Sequence, residues 1–186
     1  MNERLTGVMN WLKDKNFDLA FIQTKANVFY LSNLYKEAHE RIVGIIVFPD
    51  SEPIMICPNM ERPQAAALWE HEIISYSDSE NPWELLNKRL KNQLSNAQKI
   101  AIEKDHISFT RANALLNIYP GAELVSVEEK LYSLRLRKDE KELAILKEAA
   151  KLADFGVEVG INAIKSGKTE MDILALIEYE LKRKGI

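Results

Sequence analysis

At 186 residues the chain has length for one good-sized domain and part of a second, but not for two complete ones. Its 46% hydrophobic and 28% charged content exclude a disordered chain and call for a substantial core. With 25 basic against 28 acidic residues, a net charge of −3 and neither sign gathered into a block, nucleic-acid binding by phosphate neutralisation has no support.

The amino-terminal stretch alternates apolar and charged residues, and no apolar run approaches the roughly 18 residues of a membrane span. The single Cys57 cannot form an internal disulfide, and its place in Ile54-Met-Ile-Cys favours a buried thiol. Together these features read as a cytoplasmic protein.

Taken in order, Leu5, Val8, Met9 and Leu12 fall at helical spacing and predict an amphipathic helix from Asn2 to about Lys15. Leu19 to Ile22 is a short apolar strand, and Ala26 to Leu31 gives about two helical turns. A polar loop carrying His39, Glu40 and Arg41 then feeds into Ile42 to Phe48 and Pro53 to Cys57. These two β-branched runs, joined by Pro-Asp-Ser-Glu, predict a strand pair.

The stretch from Asn59 to Glu70 reads as a helix with Pro63 confined to its first turn. Ile73 and Ile74 mark a fourth strand. Asn81-Pro82-Trp83-Glu84 combines a cap, a first-turn proline and an acid three residues after the cap, and opens a helix to about Leu94. Ile100 to Glu103 is a fifth strand, Ser108 caps a helix that stops before Pro120, and Ala122 to Val125 is a sixth strand.

This alternation predicts a three-layer α/β/α domain with a mixed sheet. After Val127 the pattern turns wholly helical. Glu128 to Leu136 is a short helix, Asp139 to about Lys165 a long one, and Thr169 with Asp172 forms a capping box for a last helix through Glu180. Apolar stripes on the last two helices lack a partner in the sequence that follows, so the chain reads as the front part of something longer.

The motifs of metalloproteases, disulfide oxidoreductases, serine hydrolases and P-loop enzymes are absent, and Gly156 and Gly160 have the wrong spacing for a dinucleotide fingerprint. Those glycines suit close helix packing. A receiver or nucleotide-binding domain is disfavoured, because the first strand ends without an acidic cluster or a glycine-rich loop. His71 and His106 lie beside strand ends and read as ordinary boundary histidines, and Trp83 as a core anchor. His39 stands between Glu37 and Arg41 in the polar loop, where a neighbouring acid could orient the imidazole near neutral pH. A solvated loop histidine is the ordinary local alternative.

Five segments carry a family likeness: Val28-Phe-Tyr-Leu-Ser-Asn-Leu, Ala38-His-Glu-Arg, Glu80-Asn-Pro-Trp-Glu, Leu134-Arg-Leu-Arg-Lys-Asp-Glu-Lys-Glu-Leu, and Ile177-Glu-Tyr-Glu-Leu-Lys-Arg-Lys-Gly. In this order the chain resembles the N-terminal domain of Xaa-Pro dipeptidases (prolidases), within the pita-bread metallopeptidases that include creatinase and aminopeptidase P. The resemblance implies a ribonuclease H-like N-terminal domain over residues 1–132. Residues 133–186 would be the junction and first helices of a truncated catalytic domain.

It also implies a homodimer and, in the full-length enzyme, hydrolysis of Xaa-Pro dipeptides. Two divalent ions such as manganese would be held there by two Asp, one His and two Glu, none of which has a counterpart in this chain. No catalytic residue and no metal ligand is therefore expected here, and the chain alone is expected to be inactive.

What carries over is a substrate-binding loop of His39, Glu37 and Arg41, leaning toward the partner's active site and the substrate's free carboxylate. Asn33 replaces a frequent glycine and can take a left-handed turn, whereas Ala38 replaces a frequent proline and loosens the loop. The competing reading is a stand-alone dimerisation or interaction module without catalysis.

Overall fold

The structure is a computed structural model and describes residues 2–185; Met1 and Ile186, the outer ends of the expected domain spans, lie outside the described residues. It divides into two compact units, one reaching to Leu136 and the other starting at Arg137.

In the first unit the elements run in order α1 (Glu3–Lys15), β1 (Leu19–Ile22), α2 (Lys25–Ser32), β2 (Gly44–Val47), β3 (Ile54–Pro58) and α3 (Arg62–Leu68). They continue as β4 (Glu72–Tyr76), α4 (Pro82–Gln93), β5 (Lys99–Ile102), α5 (Phe109–Ile118), β6 (Glu123–Ser126) and α6 (Glu128–Leu136). The six strands form one sheet in the order β4-β3-β2-β1-β5-β6. Strand β2 pairs antiparallel with both β1 and β3, and the other pairings are parallel.

Both faces of the sheet are covered, as the uninterrupted apolar strands require. Side-chain alternation sends Ala20 and Ile22 of β1 into a core with Leu5, Val8 and Leu12 of α1, Val28 and Leu31 of α2, and Leu131 of α6. Leu19 and Phe21 point the other way, into a core with Leu86 and Leu90 of α4 and Leu115 and Ile118 of α5. This is the three-layer α/β/α mixed-sheet fold expected from the sequence. Cys57 is buried, and burial pushes its thiol up to about 11.

Two boundaries differ for physical reasons. The strand expected from Ile42 begins only at Gly44, because the Tyr76 hydroxyl takes both backbone groups of Ile42: it accepts from the amide at 2.7 Å and donates to the carbonyl at 3.0 Å. The strand expected to include Glu103 stops at Ile102, because the Glu103 side chain turns inward to a buried network.

The second unit is a pair of helices, α7 (Glu140–Ala163) and α8 (Glu170–Arg183), each opened by a capping box, Asp139 with Glu142 and Thr169 with Asp172. The stripes expected to lack any partner are partly satisfied by each other. Gly160 of α7 lies under Ile177 of α8, so near that an added Cβ would stand 3.0 Å from its Cδ1. Leu146, Val157 and Ile161 of α7, Ile164 just past its end, and Met171 and Leu174 of α8 stay exposed.

Gly44 opens β2 against the ring of Phe21, where an added Cβ would lie 2.9 Å from Cε2 and 3.1 Å from the Ile22 carbonyl. Gly44→Ala is expected to destabilise the first unit by about 1–3 kcal/mol through overpacking. Urea denaturation checks this as a lowered midpoint with an unchanged slope.

Candidate functional site

Because β2 runs against its neighbours, the loop entering it arrives at the edge where β1, β3, β4 and β5 end. Carboxyl ends of parallel strands are where α/β sheets gather ligand-binding loops. Here the segments at 39–42, 77–83 and 106–111 surround an open cleft of about 820 Å³, with His39, Arg41, Asp78, Trp83, His106 and Arg111 on its walls.

The loop is fixed from its root onward. Asn33 ends α2 with φ of 61°, the left-handed turn that an asparagine tolerates. Lys25 of α2 donates to Glu37 at 2.8 Å and holds that carboxyl below its ordinary range; the nearby His39 adds a smaller effect in the same direction. Lys36 pairs with the buried Glu61 at 2.9 Å. The Arg41 amide donates to the Ala38 carbonyl at 2.9 Å, closing a turn with His39 at its first central position. There the backbone has φ of 49°, and Glu40 after it is not left-handed. A positive φ at that position favours glycine.

The three residues expected to form the loop site are thus separated in what they bind. Glu37 engages Lys25, and Arg41 engages Asp78 at 3.1 Å. His39 is exposed, makes no side-chain hydrogen bond among the described residues, and lines both the cleft and the hollow beneath the loop. Glu37 and His39 share no hydrogen bond, since the ammonium of Lys25 occupies the acid.

Of the other histidines, His71 contacts Glu52 at 2.5 Å and stacks edge-on with Trp69, whereas His106 is exposed on the cleft wall. Trp83 is half-buried, 5.8 Å from Phe21, and shows its remaining surface to the cleft.

Three supporting residues escaped the sequence reading. Tyr76 pins Ile42, and burial pushes its hydroxyl above the ordinary range. Glu103 is 1% exposed. Its carboxylate accepts from the amides of Gln23 at 2.6 Å and Thr24 at 2.8 Å, the Thr24 hydroxyl at 2.5 Å, and Asn27 Nδ2 at 2.6 Å. Arg135 then donates to Asn27 Oδ1 at 3.1 Å. Arg111 donates to the carbonyls of Glu40 at 3.0 Å and Arg41 at 2.9 Å. The available signals were a lone acid closing the apolar run Ile100-Ala-Ile, and a cation in the first turn of a helix, where the macrodipole disfavours it.

The profile of the creatinase/prolidase N-terminal domain matches residues 4–137. The chain belongs to that family.

This creatinase/prolidase N-terminal domain is 52% identical over 184 residues to the putative dipeptidase YkvY of Bacillus subtilis (strain 168), covering 98% of this chain and 51% of that protein. It is 34% identical over 185 residues to the Xaa-Pro dipeptidase of Lactobacillus helveticus, covering 98% and 50%. The chain spans about half the length of the curated relatives it matches.

A proline dipeptidase structure from Streptococcus pneumoniae TIGR4 is 28% identical with a TM-score of 0.68, over 72% of this chain and 98% of that one. The prolidase of Pyrococcus horikoshii OT3 shares the fold at a TM-score of 0.83 and 22% identity, over 98% of this chain and 49% of that one. Among the described residues no group of three or more His, Cys, Asp or Glu could hold a metal ion, so the residues present do not fit the two-metal centre that the resemblance implies.

Two outcomes are expected at this edge. His39→Gly should leave stability unchanged or raise it by up to about 1 kcal/mol, while His39→Val should lower it by about 1–2 kcal/mol, because a β-branched residue resists positive φ. Thermal melts of the two variants check the sign. Glu103→Leu strands four donors and should cost about 3 kcal/mol or more, read in urea titrations.

Proposed function

We propose that this chain is the non-catalytic, amino-terminal part of a metal-dependent Xaa-Pro dipeptidase. The observation that carries the reading is the family match over residues 4–137, joined to dipeptidase relatives that are about twice as long as this chain. On this reading bond cleavage belongs to a second half, whose residues would hold two divalent ions such as manganese and so supply metal-assisted hydrolysis. Residues 1–132 form the supporting domain, and residues 133–186 the junction and first helices of the catalytic domain. The exposed apolar side chains of α7 and α8 are consistent with burial against the rest of such a domain.

The supporting domain dimerises and sends the His39 loop toward the partner subunit's active site. Support for the loop's role comes from its chemistry. Glu37 and Arg41 are occupied by local ion pairs, while the His39 imidazole is exposed at the tip of a turn fixed on both sides. An imidazolium there can meet the free carboxylate of a dipeptide.

The 186-residue chain, incubated with manganese and a Xaa-Pro dipeptide, should release no proline, whereas a protein carrying it ahead of a second half of the relatives' length should do so. Turnover by the short chain overturns the proposal. In the longer protein His39→Ala should raise KM for Xaa-Pro dipeptides by about fivefold or more with an unchanged melting temperature. Unchanged kinetics would return His39 to a solvated loop position. Sedimentation of the longer protein tests the dimer.

A further inference from the structure

Arg111 occupies the third position of α5, and its own amide is capped by the Ser108 hydroxyl at 3.3 Å. A cation in a first turn faces the positive end of the helix dipole. No carboxylate pairs with this guanidinium among the described residues, and its acceptors are all neutral. Nη1 donates to Gln23 Oε1 at 2.7 Å, and Nη2 donates to the carbonyls of Glu40 at 3.0 Å and Arg41 at 2.9 Å. A cation placed against the local dipole and spent on loop carbonyls breaks a local rule, and such breaks concentrate where function constrains the chain.

The connections on either side of it give the arrangement direction. Gln23, which receives Nη1, is itself anchored by its amide to the buried Glu103 carboxylate at 2.6 Å. The two carbonyls that receive Nη2 follow directly on His39, whose left-handed backbone persists only if its surroundings over-determine it. On the far side Tyr76 fixes both backbone groups of Ile42. The loop is therefore gripped at three successive residues, Glu40, Arg41 and Ile42, immediately after the histidine.

We infer that Arg111 is the positioning residue of the His39 loop, a planar fork that holds the left-handed turn in place. Its consequence for substrate rests on the function proposed above. The fork is needed because three acceptors in different directions must be met by one rigid group. A lysine keeps the charge, but its single ammonium on a flexible stem cannot reproduce that geometry.

The test uses this chain first. In Arg111→Met, amide hydrogen exchange at Arg41 and Ile42 should accelerate by about tenfold or more, while Ile45, Ile46 and Ile100 in the strands keep their rates. Arg111→Lys should show most of the same acceleration. Rates at Arg41 and Ile42 that stay within about twofold of the parent in Arg111→Met, or full restoration by lysine, overturn the inference. Gln23→Ala removes the acceptor that aims the fork and should give a smaller rise at the same amides. It carries the test should Arg111→Met fail to fold, and no rise would overturn the inference.

In the longer protein Arg111→Lys should raise KM for Xaa-Pro dipeptides several-fold, with kcat within about twofold of the parent. Accelerated exchange with unchanged KM would support the fork and overturn instead the loop's role at a substrate.

Discussion

The buried carboxylate of Glu103 is the constraint on which the carboxyl edge of the sheet depends. An ionised carboxylate removed from water is strongly destabilising unless hydrogen bonds replace its hydration. Here four donors do so, all from the five-residue span between Gln23 and Asn27, just after β1 and into the first turn of α2. The consequence is mechanical. The end of β1, the start of α2 and the end of β5 are held at one point, and through Asn27 the contact extends to Arg135 on α6. A network of this kind is stabilising only when every member is satisfied, and among the described residues no buried side-chain polar atom lacks a partner.

From that point rigidity is passed outward to a loop that would otherwise be mobile. The loop lacks regular structure from 33 to 43 and carries an alanine where a proline would stiffen it. Its order comes instead from contacts made by other elements: Lys25 on α2, Arg111 on α5, Tyr76 on β4 and Asp78 just beyond it. Each takes hold of the backbone or of a flanking side chain and leaves the His39 imidazole exposed. The strained φ of His39 fits this pattern, since a residue held by its neighbours' backbone can sit where free peptide would not.

The second unit follows a different logic. Its helices are set by local caps and joined by close contact at Gly156 and Gly160, yet much of their apolar surface stays in water. The first unit, by contrast, buries both faces of its sheet and is complete in itself. The two units thus differ in how completely each buries its own apolar surface.

The sequence alone determined the elements and their layering, because those signals act within a few residues. A short apolar run marked β1, helical spacing marked α1, and caps at Asn81, Ser108 and Thr169 placed helix starts to within a residue. The left-handed turn at Asn33 was legible only through the family resemblance, which sets it where a glycine is frequent. What only the tertiary structure decided was the site. Ile42 left the strand because of a hydroxyl 34 residues away, the loop carbonyls found a guanidinium 70 and 71 residues away, and Gln23 met a carboxylate 80 residues away. These partners leave no periodicity in the chain. They meet because β2 runs antiparallel and brings its entering loop to the edge where the parallel strands end, a choice made by packing across the whole sheet.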